Sequence, residues 1–326
     1  ILLIGSVAFD YLMTFPGYFR DHILPEHLDS ISLSFLVDSM RRHRGGIAPN
    51  IAYTMALLGH KPRLWATVGE DFEEYRVWLD DLGVDTSGAR VVPGEFTASF
   101  FVNTDRSNAQ IASFYPGAMA YAAQMSLHEL ENSPPDLVVV SPTDPDAMMQ
   151  FTVECRDIGL PYVFDPSQQI VRLSAENLAE GILGAKAVFL NKYESKLVEK
   201  MTDLKPVDLL ESQAGYEDKF AVITLGELGT RIFTRQQEYH IPVVPPEKIV
   251  DPTGVGDAFR GGFLTGLSLN IDLETCGRMG ALAATYCLEA EAPQGHSFTR
   301  QEFSCLLYTS DAADDDRIVG FWGGGG

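Results

Sequence analysis

The run LVVVS (Leu137–Ser141) is followed, at starts 25 residues apart, by YVFDPS (Tyr162–Ser167) and AVFLN (Ala187–Asn191). Each is a short apolar run that closes on polar residues, with helix-like sequence between. That spacing predicts βαβ units and a parallel sheet. FAVITLG (Phe220–Gly226) continues the series, so the runs end in Ser141, Asp165, Asn191 and Thr224. Ligands of open α/β sheets bind beyond the carboxyl ends of the strands. Any βα loop is polar, so the row of four ends is suggestive and other motifs must support it.

Toward the N-terminus, ILLIGSVAFD (1–10) reads as a buried strand ending in glycine and polar groups. From Tyr11 to Arg44 the pattern is irregular, with strand-like pieces such as SLSFLVDSM (32–40). EFTASFFVNTDRSNAQIASFY (95–115) reads as a further pair of strands. Together these form a small sheet beside the main domain. Asn50–Gly59 reads as a helix, with Pro49 in its first turn and Gly59 at its C-terminal cap. Ile51, Met55 and Leu58 form its apolar face, which is core.

The 326 residues hold 24 basic and 45 acidic side chains, for a net charge of −21. Such a surface repels nucleic acid and anionic membranes, leaving a small molecule or another protein as partner. The four cysteines show no CxxC spacing, and Cys276 and Cys287 fall on one helix face. Reduced, packed thiols and a cytoplasmic location follow as expectations. Apolar runs are too short to span a bilayer. No signal peptide is read before the first strand. The chain starts without methionine, so residues are taken to be missing there. SCLLYTSDAADDDRIVGFWGGGG (304–326) has no sustained period and ends in four glycines. Residues 305–326 are therefore expected to be a non-native or disordered tail after a domain of residues 1–304, with an acidic native tail as the alternative.

Chemistry concentrates in DPTGVGDAFRGG (Asp251–Gly262). Phe259, Phe263 and Leu267 recur every four residues, so a helix starts near Val255 or Gly256. Unpaired N–H groups and the helix dipole then make an anion hole at Gly254-Val255-Gly256. Asp257 would stand beside a bound phosphate. That placement makes sense if it accepts the proton of a hydroxyl attacking the phosphate. Alone, GxGD is equally a Gly-rich turn with a helix-start carboxylate. There is no GxxxxGK[ST], GxGxxG, HExxH or GxSxG. Arg44-Gly-Gly-Ile-Ala-Pro-Asn50 supplies a second glycine pair, whose Asn50 either caps a helix or meets a polyhydroxylated ligand. Thr224-Leu-Gly-Glu-Leu-Gly229 is a turn, or a place where a nucleotide lies against the main chain.

DPTGVGDAF resembles the signature of the ribokinase-like (PfkB) carbohydrate and nucleoside kinases. The GG…N near residue 46, Asn191-Lys-Tyr-Glu194 and TxGxxG follow in that family's order, over about residues 1–304. GSVAFDYLM, LPEHL, SLSFLVD, HRGG, QIASFYPGAM and DPSQQ are similar to the bacterial adenosine kinases of this family.

The resemblance implies a three-layer α/β sandwich with a mostly parallel central sheet and a small β-sheet lid from about residues 11–44 and 95–115. It implies transfer of the γ-phosphate of ATP to a primary hydroxyl, with Asp257 as general base and Gly254, Val255 and Gly256 as the anion hole. Asn191 and Glu194 would place Mg²⁺ through water, and Thr224, Gly226 and Gly229 would line the ATP site. Asp10, Gly46 and Asn50 would bind ribose hydroxyls. Ser6, Ser34, Phe100, Phe114, Gln168 and Gln169 would surround the nucleoside, and Arg172 is a weaker phosphate candidate. For Phe100 and Phe114 alone, ordinary sheet packing is the simpler reading. Pro49 departs from the family's small residue at this place, which leaves fine substrate preference open.

Adenosine giving AMP is thus the expected reaction, with a sugar kinase acting on ribose or a ketose as the alternative. A catalytically silent nucleoside-binding protein is the alternative of another class. A homodimer through the lid sheet, and a monovalent cation (K⁺) near Asp251 and Thr253, are further expectations.

Overall fold

The computed structural model describes residues 1–24, 29, 32–130, 132–212, 216 and 218–309. Apart from Leu24, the LPEHL string lies outside them, as do residues 310–326 of the expected tail.

Among the described residues the chain forms two sheets. The nine-stranded sheet contains β1 (Leu2–Ile4), β4 (Arg63–Val68), β5 (Asp85–Val91), β8 (Val138–Val140), β9 (Tyr162–Phe164), β10 (Ala187–Asn191), β11 (Phe220–Thr224), β12 (Thr230–Thr234) and β13 (Glu238–Ile241). The four-stranded sheet contains β2 (Ala8–Thr14), β3 (Ser39–Gly45), β6 (Ala98–Thr104) and β7 (Gln110–Tyr115). The large sheet runs β13-β12-β11-β10-β9-β8-β1-β4-β5, parallel except for the antiparallel pairs β11–β12 and β12–β13. The small one runs β3-β2-β6-β7.

The helices are α1 (Ile47–Leu57), α2 (Glu73–Asp81), α3 (Pro145–Asp157), α4 (Ala175–Gly184), α5 (Lys192–Thr202), α6 (Val255–Ser268), α7 (Leu273–Leu288) and α8 (Arg300–Thr309). Successive strand residues point to opposite faces, so a strand covered on both sides must be apolar throughout. Leu3, Val139, Val163, Phe189 and Val222 share one core with residues of α1, α2, α6 and α7. Leu2, Val138, Val140, Val188 and Leu190 share the other with residues of α3, α4 and α5. The result is the expected three-layer α/β architecture. Burial of Cys276 and Cys287 along α7, both free thiols, fits their reading as small apolar groups.

Several boundaries differ from the sequence reading. The helix read over Asn50–Gly59 runs Ile47–Leu57 with Gly46 as its N-cap, so Asn50 lies inside the first turn and is not the cap. The lid begins at Ala8, because ILLIGSVAFD breaks at Gly5–Val7 and passes from one sheet to the other. SLSFLVDSM enters a strand only at Ser39. Its Phe35 ring instead packs on Phe15 and Phe19, with centroids 5.0 and 4.9 Å away, so its apolar residues serve a local cluster and not a pleated face. Cys305 lies inside α8, whose Phe303 and Leu307 are buried against Leu58, Met279 and Leu282, so the chain shows no break there. Among the described residues, no helix is long and apolar enough to cross a membrane.

Candidate active site

The helix of the glycine motif starts at Val255, one of the two starts that its apolar period allows. Gly254 is its N-cap at φ +79°, and a Cβ there would lie 2.6 Å from Pro293 Cβ, so only glycine fits. Asp257 stands in the first turn, where a helix's leading N–H groups lack partners within the helix. Asn50 Nδ2, from the first turn of α1, donates to Asp257 Oδ2 at 2.9 Å. Burial pushes the Asp257 carboxyl up to about 6; Glu194 adds to this, while Arg260 and the Asn50 hydrogen bond oppose it. A carboxylate that ionises near 6 is available as a base at neutral pH and is basic enough to serve.

Facing it from the lid is Asp10. Burial first, then the neighbouring Asp257, raises its carboxyl to about 6. Among the described residues no hydrogen bond compensates it. Phe100 and Phe114 pair across strands with each other, and Phe100 pairs with Asp10, so the three side chains form a row on one face of the lid.

A cavity of about 480 Å³ lies under that face. Of the acceptor-side residues named from sequence, it collects Ser6, Asp10, Gly46, Asn50, Phe100, Phe114, Gln168 and Gln169, and Arg172 with them. Ser34 is the exception: it is exposed in the irregular segment before β3 and does not line the cavity. Gln169 is buried, and its Nε2 donates to the Thr143 carbonyl at 2.6 Å, leaving Oε1 as an acceptor with no partner.

The four strand ends fall on one edge of the large sheet, and they do different work. Ser141 bonds back to the Ile4 carbonyl. Asp165, almost wholly buried, pairs with Arg260 of α6, whose Nη2 donates to Oδ1 at 2.7 Å. Burial raises Asp165 to about 6 despite this cation, whereas Arg260 is held still more firmly charged by Asp165 and Asp257. The desolvation of Asp165 thus outweighs its attraction to Arg260, and the pair's consequence is a cation fixed beside Gly256 in the first turn of α6. Sequence reasoning saw Asp165 as a strand end but missed Arg260, although it stands three residues after Asp257. It also missed Gln294, which bonds to Asn50 from 244 positions away and left no signal in the sequence.

Asn191 and Glu194 form the capping box of α5: Asn191 Oδ1 accepts from the N–H groups of Tyr193 and Glu194, and Glu194 Oε2 from that of Asn191 at 2.7 Å. Glu194 Oε1 takes no part in the box. Direct ligation through the engaged oxygens would break the cap, so the residues fit a cation held through water. Among the described residues no group of three or more His, Cys, Asp or Glu could hold a metal directly. Thr224 lies beside Asn191 in register. Gly229 has φ +84° and its Cβ would meet the Ile241 carbonyl at 2.1 Å, so it is required by the turn into β12. Gly226 faces open space at the same edge.

The model of the pfkB family carbohydrate kinases matches residues 8–298. The chain belongs to this family. A nucleoside kinase of Methanocaldococcus jannaschii is 31% identical over 303 residues, covering 90% of this chain and 92% of that protein. A cytidine kinase of Thermococcus kodakarensis is 30% identical over 72% of this chain and 84% of its own. The structure of Burkholderia thailandensis nucleoside kinase in complex with inosine is 37% identical, with a TM-score of 0.82 over 95% of this chain and 98% of that one. The family enzyme has the ribokinase-like fold, and it is an ATP-dependent phosphotransferase of the nucleoside and carbohydrate kinase type.

Proposed function

We propose that this kinase phosphorylates adenosine at its 5′-hydroxyl, giving AMP and ADP, in the cytoplasm. The observation that carries the reading is the 480 Å³ cavity, where a sugar-reading carboxylate, two aromatic rings and a fixed acceptor surround one space next to Asp257. Its volume is that of a small-ligand site. Asp10, without a protein donor, is suited to two vicinal hydroxyls, and a deoxy analogue would leave it unpaired. Phe100 and Phe114 offer faces on which a base stacks. Gln169 Nε2 is committed to Thr143, so Oε1 awaits a donor, which the adenine amino group supplies.

Asp257 takes the 5′-hydroxyl proton as that oxygen attacks the γ-phosphorus. Asn50 holds the carboxylate, and the N–H groups at Gly254–Gly256 and the Arg260 cation face the transferring charge. Asn191 and Glu194 would hold Mg²⁺ through water, which supplies charge neutralisation of the phosphates. Thr224 and Gly226 border the ATP. The lid closes on the nucleoside and excludes water, which would otherwise accept the phosphate. A monovalent cation at Asp251 and Thr253 and a homodimer joined along the lid edges β3 or β7 belong to the same proposal. A K⁺-independent rate and a monomer by light scattering would end them.

The test is ADP release from ATP and Mg²⁺ with adenosine, inosine, ribose and fructose in parallel. The expected result is release with adenosine. Release with ribose or fructose alone keeps Asp257 as base and removes the nucleoside reading. Adenosine binding in calorimetry, with no product from any acceptor, replaces the enzyme by a silent binding protein.

A further inference from the structure

Gln294 lies in the segment between α7 and α8, and its amide touches three groups. Trp78 Nε1 donates to Gln294 Oε1 at 3.2 Å. Gln294 Nε2 donates to Asn50 Oδ1 at 3.0 Å and to the Tyr75 hydroxyl. The directions of these bonds follow from chemistry. An indole N–H can only donate, so the Gln294 atom facing Trp78 must be oxygen. Tyr75 gives its own proton to the Gly45 carbonyl at 3.0 Å, so its oxygen must accept from Gln294. Two independent neighbours therefore fix the same orientation of one amide. With Nε2 toward α1, the Asn50 atom that meets it must be Oδ1, and Nδ2 is left for Asp257 Oδ2 at 2.9 Å. Trp78 is itself held between the Arg44 guanidinium, 4.8 Å from its ring centroid, and the Tyr53 ring. Tyr75 is fully buried.

We propose that Trp78, Tyr75 and Gln294 act as positioning residues, a one-way chain of hydrogen bonds that keeps an amide N–H, and never an amide oxygen, on the proton-accepting carboxylate Asp257. If the chain is cut, Asn50 is free to turn its oxygen toward Asp257, which favours the protonated acid. The inference rests on Asp257 being the base.

The other charged or titratable groups that face Asp257 are Asp10 of the lid, Glu194 of α5, Asp165 after β9, Arg260 of α6 and Cys287 of α7. Substitution of Gln294 leaves all of these in place. Gln294→Met removes both donors without adding charge. Gln294→Glu reverses the bond to Asn50 and adds charge. Two readouts are taken. One is the acid limb of the pH–rate profile for ADP release with adenosine. The other needs no turnover: the ¹³C carboxyl titration of Asp257 in aspartate-labelled protein, assigned by its loss in Asp257→Asn.

The expected result is an Asp257 midpoint raised by about one pH unit in Gln294→Met, which is about a 5-fold loss of rate at pH 6. Gln294→Glu should raise it further. A Gln294→Met midpoint equal to that of the parent protein overturns the proposal, whatever happens to the rate. A raised midpoint in a protein that phosphorylates no acceptor supports the chain of bonds and rejects the kinase reading, so the two failures are distinguishable.

Discussion

The two edges of the large sheet each carry a cavity, and the larger one is on the side without the motifs. At the amino ends of the strands, about 810 Å³ opens among Ile1, His60, Asp136, Lys186, Asp218 and Asp272. Two of its carboxylates are engaged by the protein itself. Asp218 pairs with Lys186 at 2.6 Å, and Asp272 caps α7 by accepting from the N–H and hydroxyl of Thr275. The carboxyl-end cavity is smaller, yet burial holds Asp10, Asp165 and Asp257 near it at about 6. Volume therefore does not mark the site. The large cavity has an orphaned polar atom too, the buried His60 Nε2. What sets the carboxyl ends apart is convergence, with Asp10, for which no donor stands among the described residues, the Gln169 amide oxygen without a partner and the first turn of α6 near one space.

The sharpest test of that contrast is Asp257→Asn. Loss of a general base should lower turnover about 10²-fold or more, with adenosine binding retained in calorimetry. Near-normal turnover would remove Asp257 from the mechanism. The parent activity should rise with pH through about 6, where Asp257 ionises. Stability should move the other way. Burial raises this carboxyl from 3.8, so the folded chain holds the proton more tightly than the unfolded one. Its stabilising contribution is complete below about pH 4 and lost as pH climbs through 6. Thermal melting of Asp257→Asn should thus match the parent at pH 4 and exceed it at pH 8.

Next in size is Asp165→Asn. It leaves the Arg260 guanidinium buried near the start of α6 with its ion pair gone, which should cost about 3–5 kcal/mol in urea unfolding. A loss below 1 kcal/mol would mean that Asp257 and Glu194 alone suffice to hold the cation.

Much of this arrangement was legible in the sequence because the information is local. Strand spacing located the parallel sheet, and the apolar period after Gly254 placed the start of α6 near Val255 or Gly256, where Val255 is observed. The row of polar strand ends named the edge where the candidate site lies. What was not legible depends on long-range geometry. SLSFLVDSM alternates well enough to be a strand, but Phe15 and Phe19 claim its Phe35. Asn50 taken alone read as a helix cap, but Gly46 is the N-cap of α1, and only Gln294 and Asp257, brought in from elsewhere, fix the direction of the Asn50 amide. Ser34 carried a resemblance that its exposed position does not turn into a cavity contact.

Phe100→Ala probes the lid at an intermediate scale. Base stacking on an aromatic ring contributes about 1–3 kcal/mol, so adenosine binding should weaken by roughly 5- to 150-fold while any binding of ribose changes little. Equal weakening of both ligands would return Phe100 to ordinary sheet packing.

The smallest effect belongs to the other edge and completes the comparison. Asp218→Asn removes one partner of the Lys186 pair, and Asp218 is largely exposed there. Water solvates the lysine once its partner is gone, so unfolding should change by less than about 1 kcal/mol. Turnover should equal that of the parent at every pH, because the pair lies at the opposite ends of the strands from Asp257. A shifted acid limb in Asp218→Asn would show that charge at the large cavity reaches Asp257 through the sheet, and the two edges would then have to be treated as one electrostatic unit.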